Sequence, residues 1–141
     1  MRAARLVAPL ASLALAAGCS FGDLASGHAE AQKAVDEFHA RLNEGRAGEI
    51  YDAASDELHR SAARQRFVDL LEAVRRKLGK VTGTKNEGWQ VNARNLKTYV
   101  ELTQATRFER GEAHESFVFQ VRDGKAHLLR YDIRSDELIM R

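Results

Sequence analysis

The apolar pattern of this chain changes period once, near Lys80, and that change constrains the fold more than any other feature. Before it, apolar residues recur at helical spacing; after it, they alternate. Ala31, Ala34, Val35, Phe38 and Leu42 share one side of a first helix. Ile50, Tyr51, Ala54 and Leu58 mark a second, shorter one within GEIYDAASDEL, and Phe67, Leu70, Leu71, Val74 and Leu78 a third. Ser26 is placed to cap the first helix and Asn43-Glu44-Gly45 to close it. Ser61 is placed to cap the third, with Gly79 as its left-handed end. The run Arg75-Arg76-Lys77 reads as a solvated last turn whose charge complements the helix dipole.

Beyond Lys80, VTGTKNEGWQVNAR is an irregular first strand interrupted at Gly83 and Gly88, and three alternating segments follow it. Arg110-Gly111 and Arg122-Asp123-Gly124 supply the turns between them. Helices followed by a meander predict an α+β fold, with three N-terminal helices packed on a curved antiparallel sheet of about four strands. Parity then sets the register, because a slip of one residue turns a strand's whole apolar face over. A two-residue turn at Arg110-Gly111 pairs Phe108 with Ala113, Leu102 with Phe119 and Val100 with Val121. In the last hairpin a two-residue Asp123-Gly124 loop would set Phe117 against Arg130. A three-residue loop with Gly124 as a left-handed bulge is therefore expected, placing Phe117 opposite Leu129 and Phe119 opposite His127. In this register Gln104, Thr106, Glu115 and Tyr131 all point toward the helices, with Glu115 between Thr106 and Tyr131.

The N-terminus carries an address. Arg2 and Arg5 precede an apolar stretch, Leu6 to Ala17, that is shorter than the roughly 20 residues a membrane-spanning helix needs. This is the pattern of a secretory signal. It ends in Leu15-Ala16-Ala17-Gly18-Cys19, which resembles the lipobox of bacterial lipoproteins, with Ala16 where Leu is commoner. The resemblance implies cleavage before Cys19, a diacylglycerol on its thiol and an acyl chain on its new amino group. Several acyl chains anchor stably where one holds only marginally. Ser20, rather than Asp, follows the cysteine, and by the same resemblance this favours the outer membrane, facing the periplasm.

The chain divides accordingly into a signal peptide (1–18), a lipidated cysteine with a short tether (19–27) and a single α+β domain (28–141). Residues 20–27, if extended, reach at most about 26 Å. Removing the signal takes two arginines from the 22 Lys+Arg, leaving a balance with the 20 Asp+Glu. A neutral mature chain without a basic stripe gives nucleic acid no electrostatic footing.

Two stretches, FVDLLEAVRRKLGKV (67–81) and RFERGEAHESFVFQVRDGKAHLLRYDI (107–133), resemble an uncharacterised bacterial lipoprotein and periplasmic domain. That domain belongs to the nuclear-transport-factor-two-like, or cystatin-like, superfamily. The resemblance covers about residues 29–135 and implies a cone-like α+β fold. It lends no activity. His127 stands near where that domain usually has a Trp after its "DGK".

Glu115 is the residue that most calls for explanation, since a carboxylate on the helix-facing side of a sheet is costly unless hydrogen-bonded. One reading makes it a general base or ligand anchor, with Tyr131 as hydrogen-bond donor, Gln104 or Thr106 orienting, and Trp89 on a pocket wall. The other makes it a carboxylate at the sheet's rim that Tyr131 merely satisfies. The five histidines (28, 39, 59, 114 and 127) have no metal-ligand spacing, so no metal is expected. The chain has no G-x-S-x-G, P-loop or G-x-G-x-x-G, so no cofactor is implied. With Cys19 acylated, no thiol nucleophile remains.

Three functions stay open at this point. The first is a non-enzymatic membrane-tethered module binding an envelope protein or a small apolar ligand. The second is an isomerase or hydratase using Glu115 and Tyr131 in a concave pocket. The third is a structural lipoprotein that pairs with its own kind along an exposed edge from Val81 to Asn92.

Overall fold

The computed structural model describes residues 21–140, with side chains from residue 25 onward. The residues read as a signal peptide (1–18), Cys19, read as the lipidation site, and Ser20 lie outside the described residues. Four helices come first: α1 (Phe21–Asn43), α2 (Ala47–Asp52), α3 (Asp56–Ser61) and α4 (Arg64–Leu78). Four strands follow, β1 (Val81–Arg94), β2 (Lys97–Phe108), β3 (Gly111–Arg122) and β4 (Lys125–Arg134), and a short α5 (Asp136–Ile139). The strands form one antiparallel sheet in chain order, β1-β2-β3-β4, so the fold is α+β with its helices ahead of its meander.

The helical region departs from its sequence reading in four places. Helix α1 begins at Phe21, so Ser26 lies inside it rather than capping it, and residues 21–27 of the segment read as a tether are helical. The expected second helix is two, because the chain turns at residues 53–55 and restarts with Ser55 capping α3 (Leu58 N–H to Ser55 Oγ, 3.2 Å). Ser61 therefore ends α3 instead of opening α4, whose N-cap, Ala63, offers no side-chain bond. Arg64 instead ties the start of α4 back to α2, its Nε and Nη2 donating to Asp52 at 2.9 and 3.2 Å. That guanidinium holds the Asp52 carboxyl below its usual range. Finally, Val68 rather than Leu70 completes the buried face of α4, and Leu70 is exposed.

Basic residues near the end of α4 serve neighbouring chain ends. Arg75 donates from Nε to the Asn43 carbonyl at the end of α1, and Lys77 from Nζ to the Leu138 carbonyl of α5. Arg110 reaches across from the β2–β3 turn to cap α4 itself, donating to the carbonyls of Arg76 (2.6 Å) and Lys77 (2.9 Å). These bonds satisfy carbonyls that have no partner within their own helices.

In the sheet the expected faces hold on β2, on β3 and on β4 beyond Leu129, the face of β4 nearer its turn is reversed, and both expected turns are displaced. β2 and β3 join through Glu109-Arg110, with Phe108 directly opposite Gly111, so the pairing sits two residues from the expected one. A shift of two preserves parity, and Leu102 meets Phe117 while Val100 meets Phe119. The end of α4 fixes this turn: Arg110 N–H donates to the Leu78 carbonyl and Glu109 N–H to the Lys80 carbonyl.

β3 and β4 join through the two-residue Asp123-Gly124 turn, not a three-residue one. Both residues have positive φ, 52° and 71°, which gives a turn whose twist matches that of the strands. The bulge lies farther along β4, where Val118 faces Arg130 but Phe119 faces Leu128, leaving Leu129 as the extra residue. Phe117 thus pairs with Tyr131, and His127 with Gln120 rather than Phe119. Leu128, not Leu129, enters the core, while its carbonyl accepts the Ser55 N–H from the α2–α3 turn at 2.9 Å.

β1 carries register shifts at Val81/Gly83 and Asn86/Gly88, where its glycines had suggested interruptions, and it is exposed along most of its length. Helix α1 lies over all four strands, and its Val35, Phe38 and Leu42 join Val100, Leu102, Phe117 and Phe119 in the core. Phe38 meets Phe117 edge-on at 5.1 Å and Tyr131 at 4.8 Å. α4 packs against α1, α2 and α5.

Candidate functional site

Glu115 is the most deeply buried acid of the described chain, at 0 % exposure, and three donors converge on it. Tyr131 donates its hydroxyl to Oε1 at 2.6 Å. Thr106 donates to Oε2 at 2.6 Å, and His39 Nε2 lies 2.7 Å from that same oxygen. The part His39 plays depends on its tautomer, and in the one that carries a proton on Nε2 it donates to the carboxylate oxygen. The arrangement supplies what a buried carboxylate needs, hydrogen bonds on both oxygens. Burial, and then the negative charge of Glu115, hold the Tyr131 phenol well above its ordinary range, which keeps it a donor at neutral pH.

Each member is placed by a separate element. Parity turns Glu115 and Thr106 inward on β3 and β2, where they sit on adjacent rungs rather than opposite each other: Glu115 pairs with Gln104, and Thr106 with Ala113. The β4 bulge brings Tyr131 opposite Phe117, one inward position along from Glu115. His39 comes from α1. It was not singled out in the sequence, although it stands four residues after Val35 and beside Phe38, inside the apolar stripe. A polar residue at a stripe position, taken with an inward-facing acid on the sheet, was the available signal.

The other expected site residues fall outside this cluster. Gln104 is 1 % exposed and donates from Nε2 to Gln32 Oε1 at 3.1 Å, while its Oε1 has no partner among the described residues. Trp89 is 52 % exposed on β1, its ring 4.5 Å from that of His28, so it does not wall a pocket around Glu115. His127 lies with Nδ1 3.5 Å from the Ala53 carbonyl. No group of three or more His, Cys, Asp or Glu among the described residues could hold a metal ion. No described helix is long and apolar enough to cross a membrane.

The open space lies elsewhere. A cleft of about 320 Å³ runs between α1, the end of α2 and the β3–β4 hairpin. Its apolar lining includes Phe38, Ile50, Phe119 and Leu128, and its charged lining Glu30, Lys33, Glu37, Arg41 and Lys125, with His127 beside them. Phe38 belongs both to this cleft and to the aromatic packing around Tyr131, so a ring separates the cleft from the Glu115 cluster. A second depression, about 280 Å³, lies along β1 and β2 and includes Thr106. Glu115 lines neither.

The carboxylate, phenol and imidazole together are a general acid–base set in kind. Both carboxylate oxygens are already engaged, and no water-accessible surface remains on the residue. No protein-family model, curated protein or solved structure matches the chain.

Proposed function

We propose that this chain is a lipid-anchored binding module of the bacterial envelope, non-enzymatic, built on the cone-like fold of the nuclear-transport-factor-two-like superfamily. Cys19 tethers it to the outer membrane on the periplasmic side, and the cleft between α1 and β4 takes its ligand. The Glu115 cluster fixes α1 to the sheet and thereby holds the cleft wall in place. One observation carries this reading: the accessible space has an apolar floor and a charged rim, while the acid best suited to catalysis is sealed behind Phe38. Concave, mostly apolar space with a few polar groups at its edge is the usual form of a small-molecule site.

The reading is tested on protein purified from its native envelope. Filling the cleft at exposed Ala53 (Ala53→Trp) leaves the core untouched. Mass spectrometry of extracts should then find a small molecule released by the native protein and absent from the variant. Identical extracts from the two proteins would contradict the cleft as the site. Anchoring is tested separately: Cys19→Ala should release the protein from the membrane fraction and abolish its labelling by a fatty-acid precursor.

The isomerase or hydratase reading draws on the contact of Tyr131 with Glu115 and on the addition of His39 to that pair. It requires a substrate to displace one of three hydrogen bonds inside a fully buried site. The open cleft requires no such displacement.

A further inference from the structure

Granting that the cleft between α1 and β4 is the ligand site, we infer that it selects a small amphipathic anion, an acidic head group on an aliphatic body. The lining divides by chemistry. Its floor is made of side chains that are themselves buried, Phe38, Ile50, Phe119 and Leu128, and these offer an aliphatic body contact without any hydrogen-bonding demand. Its ionic groups lie on two walls. On α1, Arg41 and Glu37 neutralise each other across one turn, 3.8 Å apart. That leaves Lys33 on α1 and Lys125 at the start of β4 as ammonium groups without an ion-pair or hydrogen-bond partner among the described residues, against the one remaining acid of the lining, Glu30.

An acidic head group held between the two ammonium groups gains from both at once, with water only partly excluded. A cationic head group would meet two like charges for one opposite charge. His127, whose ring borders the same space, adds a further hydrogen-bonding group to the β4 wall. The volume of about 320 Å³ suits a medium-length chain rather than a polymer.

The test compares three ten-carbon probes on the full mature chain, each kept below its aggregation concentration: decanoate, decanol and decyltrimethylammonium. Decanoate should bind saturably and about tenfold or more tighter than either of the others, and its affinity alone should fall as salt is raised. Lys33 and Lys125 are both exposed, so the double reversal Lys33→Glu with Lys125→Glu leaves the core intact. That variant should weaken decanoate about tenfold or more and leave decanol unchanged. If decanol and decanoate bind equally and Ala53→Trp abolishes both, anion selection is wrong while the cleft remains the site. If no probe binds, or Ala53→Trp changes nothing, the inference falls together with the cleft reading beneath it.

Discussion

Three donors on one buried carboxylate make Glu115 a fastening point, and its partners differ in what their loss should cost. Tyr131→Phe removes one donor but leaves Glu115 bonded to Thr106 and His39, so its expected cost is about 1.5–3 kcal/mol, the range for hydrogen bonds to charged groups. Glu115→Ala leaves the other three polar groups facing an apolar space, and should cost about 3–5 kcal/mol. Denaturant midpoints at neutral pH measure both.

The Tyr131 phenol also gives a pH signature. Its folded value lies well above the ordinary 10.0, so between the two values the native state keeps a proton that the unfolded chain releases. The contribution is complete below the unfolded value and is lost as pH rises through the folded one. Denaturation at about pH 9 and about pH 11 should show a fall in stability that is smaller in Tyr131→Phe. At this scale, parity alone placed Glu115, Thr106 and Tyr131 on one face of the sheet. His39 was illegible by the same route, because its partner lies 76 residues away and helix periodicity ranks only apolar residues.

The elements record where tertiary contact overrides local pattern. Both displaced turns involve contacts to the helices that alternation cannot carry: the end of α4 grips Glu109-Arg110, and the α2–α3 turn meets the bulged stretch of β4 at Leu128. Parity survived on β2 and β3 because their shift was of two residues, and on β4 only beyond the bulge at Leu129, which compensates the displaced turn. The strain at the turns is testable. Gly79 has φ +82°, and a Cβ there would lie 2.4 Å from Glu109 Oε2 and 2.9 Å from Glu109 Cβ. Gly124 has φ +71° but open space around it.

Gly124→Ala should therefore cost only the left-handed penalty, about 1 kcal/mol, and Gly79→Ala clearly more. Leu96, fully exposed at φ +62° in the β1–β2 turn, offers the converse. Leu96→Gly should stabilise by up to about 1 kcal/mol, since a left-handed conformation strains any side chain with a Cβ. Thermal midpoints of the three variants check all three signs. Equal losses at Gly79 and Gly124 would contradict the close approach of Glu109.

For the whole molecule, the proposal divides labour between a sealed polar cluster that holds α1 against the sheet and an open cleft that receives a ligand. The period change at Lys80 makes the α+β order legible in the sequence alone. The cleft was not legible, because it is formed where the α1 stripe, one end of α2 and a hairpin meet, and no single segment encodes that meeting.

The measurement that separates the two roles most directly is made on one variant, Tyr131→Phe, at a temperature where it remains folded. Stability and decanoate affinity are read on the same preparation. A denaturant midpoint clearly lowered and an affinity within about twofold of the native protein are expected. An unaltered midpoint with binding lost would contradict this division of roles, and would return the ligand to Glu115.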